Sequence, residues 1–186
     1  MTTIYFVRHA EPVRDRTLYN TGEFPLPEKG LKDTRFVTEF LSDKNIDVMY
    51  SSPYKRAVDT IIPFASSVNK DVLTREDFSE RQHKFMPDFW EFIEMQWNDF
   101  EYKVEGESLQ DVQKRNISEL QNVIGRHSGQ NVVIGTHGGA LSTIIKFYNP
   151  DWSFDDYKNS ADKMPWIVKM IFSQSDFISM EMFDIV

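Results

Sequence analysis

The amino-acid sequence predicts an α/β protein, a three-layer α/β/α sandwich with a mostly parallel central sheet, one C-terminal edge hairpin and a helical insertion. Short apolar runs alternate with segments of helical periodicity, which is typical of a parallel sheet covered by helices. Two late apolar runs, residues 166–172 and 177–183, are separated by a short polar turn and predict the hairpin. The chain has 186 residues, 40% hydrophobic and 27% charged, and we expect a single domain over residues 1–186.

Composition and charge exclude several classes of protein. The formal net charge is −8, so we expect neither nucleic acid nor an anionic membrane as a partner, because both require a basic surface. The chain has no cysteine, which excludes disulfides, thiol chemistry and cysteine-ligated metals. It enters its first predicted strand without a basic and apolar leader, and no apolar run approaches membrane-spanning length, so we expect a cytosolic protein.

The first predicted strand covers residues 4–7, an apolar run that ends abruptly in Arg8 and His9. Pro12 prevents further regular pairing. The polar, irregular stretch that follows contains several prolines and arginines, and loops of this kind often carry binding groups. Apolar residues at helical spacing then predict a helix over residues 30–42.

The second strand is predicted over residues 47–50, shortly before Ser52 and Pro53. Serine suits the N-cap of a helix and proline suits its first position, so a helix is predicted to begin there. Arg56 then falls in the first turn of this helix, close to the end of the strand. Pro63 lies within the same apolar pattern and predicts a kink or an early end of the helix.

A short strand is predicted over residues 71–74, and the chain changes character after it. Residues 77–105 interleave aromatic and acidic residues without a sustained period, so we predict an irregular helical insertion. An aromatic stripe of this kind is typical of a core. The alternative is an aromatic lid over a binding site.

Two predicted helices flank the last parallel strand. Ser108 and Asp111 form a capping-box pattern at the start of a long helix. The strand covers residues 131–135 and leads into His137, which is followed by two glycines and another helix.

Charged and imidazole side chains gather at the predicted strand ends. Two strands lead into histidine, at His9 and His137, and Arg56 lies beside the end of a third. Because the carboxyl ends of parallel strands lie at one edge of a sheet, we expect these side chains and Arg8 to converge. Two guanidinium groups and two imidazoles suit a dianionic phosphate, and the glycines after His137 add backbone N–H donors at a helix start.

The residue types favour phosphoryl transfer to histidine. No serine lies beside a base in a recognisable nucleophile arrangement, whereas neutral imidazole is nucleophilic near neutral pH without an auxiliary base. A carboxylic acid is expected nearby to protonate the leaving alkoxide. The four histidines lack metal-ligand spacing, and neither a P-loop nor a dinucleotide fingerprint is present. We therefore expect no cofactor and no metal.

Five motifs occur in order along the chain. They are F-V-R-H-A-E-P from residue 6, P-L-P-E-K-G from residue 25, S-S-P-Y-K-R-A-V-D-T from residue 51, G-E-S-L from residue 106 and V-V-I-G-T-H-G-G from residue 132. Together they resemble the histidine phosphatase superfamily, in the branch of cofactor-dependent phosphoglycerate mutases and small broad-specificity phosphatases. The resemblance implies a metal-independent phosphatase whose partner is a small-molecule phosphate ester.

The resemblance also implies a role for individual residues. His9 would be the nucleophile that becomes phosphohistidine, and Glu80 would be the general acid that later activates water. The side chains of Arg8, Arg56 and His137 would hold the phosphoryl oxygens and stabilise charge in the transition state. Contacts to phosphate or substrate are implied for Asn20, Thr21, Gly22 and Gly138.

Three features depart from this pattern or leave it open. Glu76, Asp77 and Glu91 lie near Glu80 and are alternative proton donors. Ala10 stands where the family usually has glycine, which is tolerable if the backbone angle there is not left-handed. The loop before the first predicted helix is also shorter than in the mutases.

A phosphatase is the function that we expect, with two alternatives. A phosphoglycerate mutase-type isomerase typically has a longer chain with added loops. A non-catalytic phosphate-binding scaffold would lack the nucleophile, an arginine or the acid, and all of these are present. The aromatic segment favours a bulky or apolar phosphomonoester over a small sugar phosphate. His83 and His127 are interpreted as ordinary surface or helix-end residues.

Overall fold

The computed structural model describes residues 1–13, 22–83 and 88–186, in which six strands form one mixed sheet. The strands are β1 (Thr2–Arg8), β2 (Val48–Ser51), β3 (Val72–Thr74), β4 (Asn131–Thr136), β5 (Trp166–Ser173) and β6 (Asp176–Asp184). The helices are α1 (Glu28–Leu41), α2 (Lys55–Ser67), α3 (Phe89–Asn98), α4 (Leu109–Arg126), α5 (Gly138–Tyr148) and α6 (Phe154–Asn159), and Glu76–Phe78 form a 3₁₀ turn. Within the described ranges, no helix combines the length and apolarity that a membrane crossing requires.

The sheet has the order β3-β2-β4-β1-β5-β6 and is mostly parallel. Strand β4 pairs in parallel with both β1 and β2, and β2 pairs in parallel with β3. Strands β5 and β6 form an antiparallel hairpin at one edge, with β5 antiparallel to β1. The predicted α/β fold with a C-terminal edge hairpin is therefore confirmed.

Helices cover both faces of the sheet, as a three-layer sandwich requires. On one face α1 and α2 bury apolar side chains such as Val37 and Ile61 against the sheet. On the other face α4 and α5 bury side chains such as Leu120 and Leu141. Because the central strands are covered on both sides, β4 is an almost uninterrupted apolar run rather than an alternating one.

The parallel register brings three strand ends to one edge of the sheet. The last residues of β1 and β4 lie opposite each other, and β2 ends one residue lower in the same row. The pairing continues past the strands, because the N–H of His9 donates to the carbonyl of Thr136 (3.1 Å) and the N–H of Ser52 donates to the carbonyl of Gly135 (2.8 Å). The residues that follow these strands, His9, Ser52 and His137, therefore lie side by side at this edge of the sheet.

The helix after β2 differs from its prediction at both ends. It begins at Lys55 with Tyr54 as N-cap, rather than at Pro53 after a cap at Ser52. The Ser52 hydroxyl accepts the N–H of Tyr54 (3.2 Å) and is also hydrogen bonded to the ring of His137. It is therefore not available to cap a helix. The helix also continues past Pro63, and the predicted early end is wrong. Pro63 lies on the exposed face of the helix.

The long helix α4 has the start that the sequence predicts, whereas α6 has no counterpart among the predicted elements. Ser108 Oγ accepts the N–H of Asp111 (3.0 Å), and the Asp111 carboxylate accepts the N–H of Ser108 (3.1 Å). Helix α6 has six residues, too few to show a period, although Ser153 and Asp156 form a second capping box before it.

The aromatic segment contains the 3₁₀ turn and α3, while residues 84–87 lie outside the described residues. Helix α3 packs on α6 through aromatic rings. Trp97 stacks on Tyr157 with ring centroids 5.6 Å apart, and Trp90 lies 6.1 Å from the same ring. These contacts place α3 and α6 side by side, and a role of the segment as a lid stays a prediction.

Candidate active site

His9 lies directly after β1, and both of its ring nitrogens are hydrogen bonded. Nδ1 lies 2.7 Å from the carbonyl oxygen of Ala10, and Nε2 lies 3.2 Å from the Nε–H of Arg56. A carbonyl oxygen only accepts and a guanidinium only donates, so the ring proton is on Nδ1 and Nε2 carries the lone pair. The residue is 6% exposed. An unprotonated imidazole nitrogen, held in a fixed direction, is a suitable nucleophile.

The alanine after this histidine is accommodated without strain. Ala10 is fully buried, and its N–H donates to Thr60 Oγ1 (2.9 Å). Among the described non-glycine residues, a positive φ occurs only at Asn45, Asn69 and Gln174. The backbone at Ala10 is therefore not left-handed, and no glycine is required there.

Arg56 projects from the first turn of α2 toward His9 and is buried. Its guanidinium lies over the ring of Tyr54, 5.0 Å from the centroid, and 5.5 Å from the centroid of Phe24. Burial lowers the pKa of Arg56, and the negative charge of Glu80 opposes this shift. The site therefore holds a desolvated cation next to the nucleophilic nitrogen, which is suited to a phosphoryl oxygen.

His137 is the N-cap of α5 and is completely buried. Its ring contacts the rings of His9 and Tyr54 edge-on, with both centroid distances 5.2 Å, and Nε2 lies 2.8 Å from the hydroxyl of Ser52. Burial first, and then the positive charges of Arg56 and other neighbours, lower the pKa of His137 well below its ordinary value, so the ring is neutral. The Ser52 oxygen already accepts the N–H of Tyr54, which favours a ring proton on Nδ1 of His137.

The buried, neutral His137 is expected to make the folded protein less stable in acid. Its pKa in the folded state lies below the value of about 6.5 in the unfolded chain, so between these two values the unfolded state binds more protons. The contribution is complete above about pH 6.5 and is lost as the pH falls toward the folded-state pKa. Urea unfolding over pH 5 to 8 should show a free energy of unfolding that falls by up to about 1.4 kcal/mol per pH unit more steeply in the wild type than in His137→Gln. Equal slopes in the two proteins would contradict this reading.

Arg8 binds backbone carbonyls behind the site. One terminal nitrogen donates to the carbonyl oxygens of Ser160 (2.6 Å) and Lys163 (3.2 Å), and the other donates to that of Ala161 (2.9 Å). The guanidinium also lies under Gly138, where a Cβ would come within 3.0 Å of it. Arg8 thus ties the end of α6 to the floor of the site, and a contact of Arg8 with a phosphoryl oxygen stays a prediction.

Glu80 lies on an irregular segment, and its carboxylate is bound at the N-terminus of α5. Oε2 accepts the N–H of Gly139 (2.9 Å), and Oε1 accepts those of Ala140 (3.0 Å) and Arg81 (2.8 Å). A Cβ on Gly139 would lie 2.6 Å from Oε1, so this approach requires glycine. One of the donors that the sequence assigned to phosphate, the N–H of Gly139, therefore binds Glu80, and a contact of Gly138 with phosphate stays a prediction.

The loop contacts implied by the resemblance are described only in part. Asn20 and Thr21 lie outside the described residues. Gly22 has a φ of +78° and accepts the N–H of Lys55 (3.0 Å), and a Cβ there would lie 2.7 Å from the ring of Tyr54. Gly22 therefore supports Tyr54 at the rim of the site.

Ser52 and Tyr54 belong to this arrangement, although the sequence analysis gives neither a chemical role. Tyr54 lies between Arg56 and His137, and burial raises the pKa of its hydroxyl, an effect that a hydrogen bond with Gln82 opposes. Both residues follow directly after β2. The sequence feature that could have indicated their place in the site is their position just after a strand, because ligands bind at the edge where parallel strands end.

A cavity of about 100 Å³ lies beside Glu80, between α3, α4 and α6. Apart from Glu80, Arg81 and His83, the walls are formed by aromatic and aliphatic side chains and by Gly139. His83 is only 8% exposed, so its interpretation as a surface residue is wrong, whereas His127 is the C-cap of α4 as expected. The described residues around the cavity are Glu80, Arg81, His83, Phe89, Ile93, Trp97, Leu109, Gly139 and Tyr157.

The sheet edge thus collects His9, Arg56, His137 and Glu80, with the guanidinium of Arg8 behind them. The cations suit a dianionic group, and the single carboxylate stands between them and the cavity. Within residues 1–13, 22–83 and 88–186, no group of three or more histidine and acidic side chains is arranged as a metal site. This arrangement can bind a phosphate ester and offer it an imidazole nucleophile.

Comparisons with known proteins agree with this chemistry. The chain is 31% identical over 155 residues to phosphoserine phosphatase 1 of Hydrogenobacter thermophilus, covering 74% of this chain and 71% of that one. It is 29% identical over 160 residues to the metal-independent phosphoserine phosphatase of Arabidopsis thaliana, covering 77% and 67%. The solved structure of Bacillus stearothermophilus YhfR has the same fold, with a TM-score of 0.78 at 22% identity over 96% and 95% of the two chains.

A family model matches most of the chain. The model describes branch 1 of the histidine phosphatase superfamily and matches residues 4–161, from β1 to beyond the end of α6. This range includes every residue that forms the site. The chain therefore belongs to the histidine phosphatase superfamily (branch 1) and is a phosphatase.

Proposed function

We propose that the protein hydrolyses phosphomonoesters through a phosphohistidine intermediate on His9. The observation that carries this proposal is the pair of hydrogen bonds that places the ring proton on Nδ1 and directs Nε2 at the Nε–H of Arg56. A phosphoryl group that binds Arg56 through its oxygens is brought to the lone pair of Nε2. In the first step a P–N bond forms at Nε2, and the P–O bond to the leaving group breaks.

Glu80 is the proposed proton donor and acceptor. It gives its proton to the leaving oxygen in the first step and takes a proton from water in the second, when an O–P bond forms and the P–N bond breaks. Of the carboxylates near this position, only Glu80 is held between the start of α5 and the cavity. The alternatives Glu76 and Asp77 belong to the 3₁₀ turn, and Glu91 is exposed on α3.

The remaining polar groups stabilise charge on the phosphoryl oxygens. Arg56 and the neutral His137 face the nucleophile, and the proposed Nδ1–H of His137 is a donor with no hydrogen-bond partner among the described residues. Positioned donors of this kind are expected to contribute about 10²–10³-fold each to the rate. No metal ion is required for this step, and one relative is named a metal-independent phosphatase.

The proposed substrate is a small alkyl phosphomonoester that carries a carboxylate, such as phosphoserine. The cavity beside Glu80 holds about 100 Å³, and Arg81 and His83 line it together with Glu80 and apolar side chains. A leaving group with one carboxylate and few carbons can pair with the guanidinium of Arg81 in this cavity. The names of both curated relatives, phosphoserine phosphatases, support this class.

Trapping of the intermediate tests the proposal directly. Phosphoserine labelled in the phosphoryl group is mixed with the protein in excess chelator, and the reaction is stopped in alkali, where phosphohistidine survives. We expect label on the wild-type protein, released by mild acid, with steady production of inorganic phosphate. Label that survives acid, or turnover that stops in chelator, would overturn the mechanism. With 3-phosphoglycerate as a second substrate, phosphorus NMR that shows 2-phosphoglycerate rather than inorganic phosphate would favour the isomerase.

A further inference from the structure

The guanidinium of Arg115 binds the segment that carries Glu80 and the carboxylate of Glu107. Arg115 projects from α4, outside the site, and forms two bonds with the carboxylate of Glu107, from Nε (2.7 Å) and from a terminal nitrogen (3.0 Å). Its other terminal nitrogen donates to the carbonyls of Asp77 (2.7 Å) and Ser79 (2.9 Å). The terminal nitrogen that binds Glu107 also donates a longer bond, of 3.3 Å, to the carbonyl of Glu80. These five bonds use every N–H that a guanidinium offers.

Glu107 extends this connection one residue further. Its Oε2 accepts the N–H of Gln82 (3.0 Å), and its own N–H donates to the carbonyl of Gln82 (2.8 Å). The backbone approaches closely here because Gly106 has a φ of +84°, and a Cβ at Gly106 would collide with the Gln82 carbonyl. Arg115 and Glu107 together therefore hold backbone groups on both sides of Glu80.

The segment has no regular structure of its own to fix it. Residues 79–83 form neither helix nor strand, so no ladder of backbone bonds defines the direction in which Glu80 points. The bonds from the start of α5 fix the carboxylate of Glu80. The Arg115–Glu107 pair fixes the backbone from which the Glu80 side chain projects. The pair is partly shielded, with side-chain exposures of 19% and 25%.

We propose that Arg115, with Glu107, is a positioning residue that sets the place of the Glu80 carboxyl relative to the leaving group. The proposal rests on the proposed function, in which Glu80 is the proton donor. A displacement of about 1 Å in a catalytic group costs up to about 10²-fold in rate. That loss falls on esters that need a proton on the leaving group and spares esters that do not.

The test is the ratio of kcat/KM for phosphoserine to kcat/KM for 4-nitrophenyl phosphate, whose phenolate leaves without protonation. A purely structural role of Arg115 lowers the folded fraction, and this cancels in the ratio. We expect the ratio to fall about 10- to 100-fold in Arg115→Met. Lysine cannot reproduce the planar fork, so Arg115→Lys is expected not to restore the ratio. Glu107→Gln, which keeps an acceptor for Arg115, is expected to shift it in the same direction by less.

A matched control is another ion pair that involves α4. Arg75 donates from Nε to Glu119 Oε1 (3.1 Å), and its side chain is 33% exposed. Arg75→Met therefore removes a comparable pair without touching the carbonyls of residues 77–80, and the ratio is expected to stay at the wild-type value. Equal falls in Arg75→Met and Arg115→Met would overturn the proposal.

A double-variant comparison separates this inference from the proposed function. If Glu80→Gln lowers the ratio and Arg115→Met does not, Arg115 has no positioning role and the function of Glu80 stands. If Glu80→Gln leaves the ratio unchanged, the assignment of Glu80 is wrong and the role of Arg115 falls with it. Both proposals hold if each single variant lowers the ratio and Arg115→Met lowers it no further in a Glu80→Gln background. A full additional fall there would show that Arg115 does not act through Glu80.

Discussion

Replacing His9 with alanine is expected to lower kcat for every phosphomonoester by about 10⁴-fold or more, because the atom that receives the phosphoryl group is removed. Water is then the remaining nucleophile, and it lacks the fixed direction that the hydrogen bonds of His9 give to Nε2. Phosphate binding is expected to change by less than about tenfold, since Arg56 and His137 are still present to bind the anion. Steady-state kinetics with phosphoserine and with 4-nitrophenyl phosphate, and calorimetric titration of inorganic phosphate, measure the two effects separately.

The control for this variant is another histidine outside the site. His127 ends α4, where its ring is bonded to the hydroxyl of Tyr50 (2.9 Å) and to Gln130 (2.7 Å). His127→Ala is expected to retain the wild-type kcat. A His9→Ala protein that keeps more than about a hundredth of the wild-type kcat would assign the nucleophile to another group.

The sheet and the edge that carries the site could be predicted because local patterns suffice for them. Strand β4 is almost entirely apolar and is followed at once by His137, just as β1 is followed by His9. A polar residue that interrupts a buried run marks the end of the strand, and parallel pairing brings such ends together. The convergence of His9 and His137 follows from those two facts, and Arg56 joins them because its helix begins shortly after β2 ends.

The surroundings of Arg8 and Glu80 could not be predicted, because they depend on contacts between distant parts of the chain. The carbonyl that Arg8 binds at Ser160 is 152 residues away in sequence, and the N–H that Glu80 binds at Gly139 is 59 residues away. Neither contact leaves a local pattern. Only the family resemblance pointed to Glu80, and nothing in the sequence indicated that Gly139 would bind a carboxylate of the protein.

Ser52 shows how a tertiary contact overrides a local preference. Serine before proline is a strong helix start, and the sequence predicts an N-cap at this position. The hydroxyl instead lies 2.8 Å from Nε2 of His137 and accepts the N–H of Tyr54, and α2 begins at Lys55. Leaving Nε2 of His137 buried without a hydrogen-bond partner would cost more free energy than leaving the start of α2 without a serine cap. Ser52 therefore binds His137.

Glu80→Gln is expected to separate the two halves of the reaction. Glutamine keeps the size of the side chain but cannot give a proton to an alkoxide, so kcat/KM for phosphoserine should fall by about 10²–10⁴-fold. The value of kcat/KM for 4-nitrophenyl phosphate should fall by less than about tenfold, because its phenolate needs little protonation. Stopped-flow measurement of nitrophenolate and a phosphate assay for phosphoserine give the two numbers.

The second half of the reaction gives a further signature in the same variant. Water must lose a proton as it attacks phosphohistidine, and without the Glu80 carboxylate this step becomes the slow one. We therefore expect a rapid burst of nitrophenolate, close to one equivalent per site, followed by slow turnover. Label from phosphorylated substrate should accumulate on His9. If there is no burst and both esters slow equally, Glu80 only supports the start of α5 through Gly139 and Ala140, and the proton comes from another group.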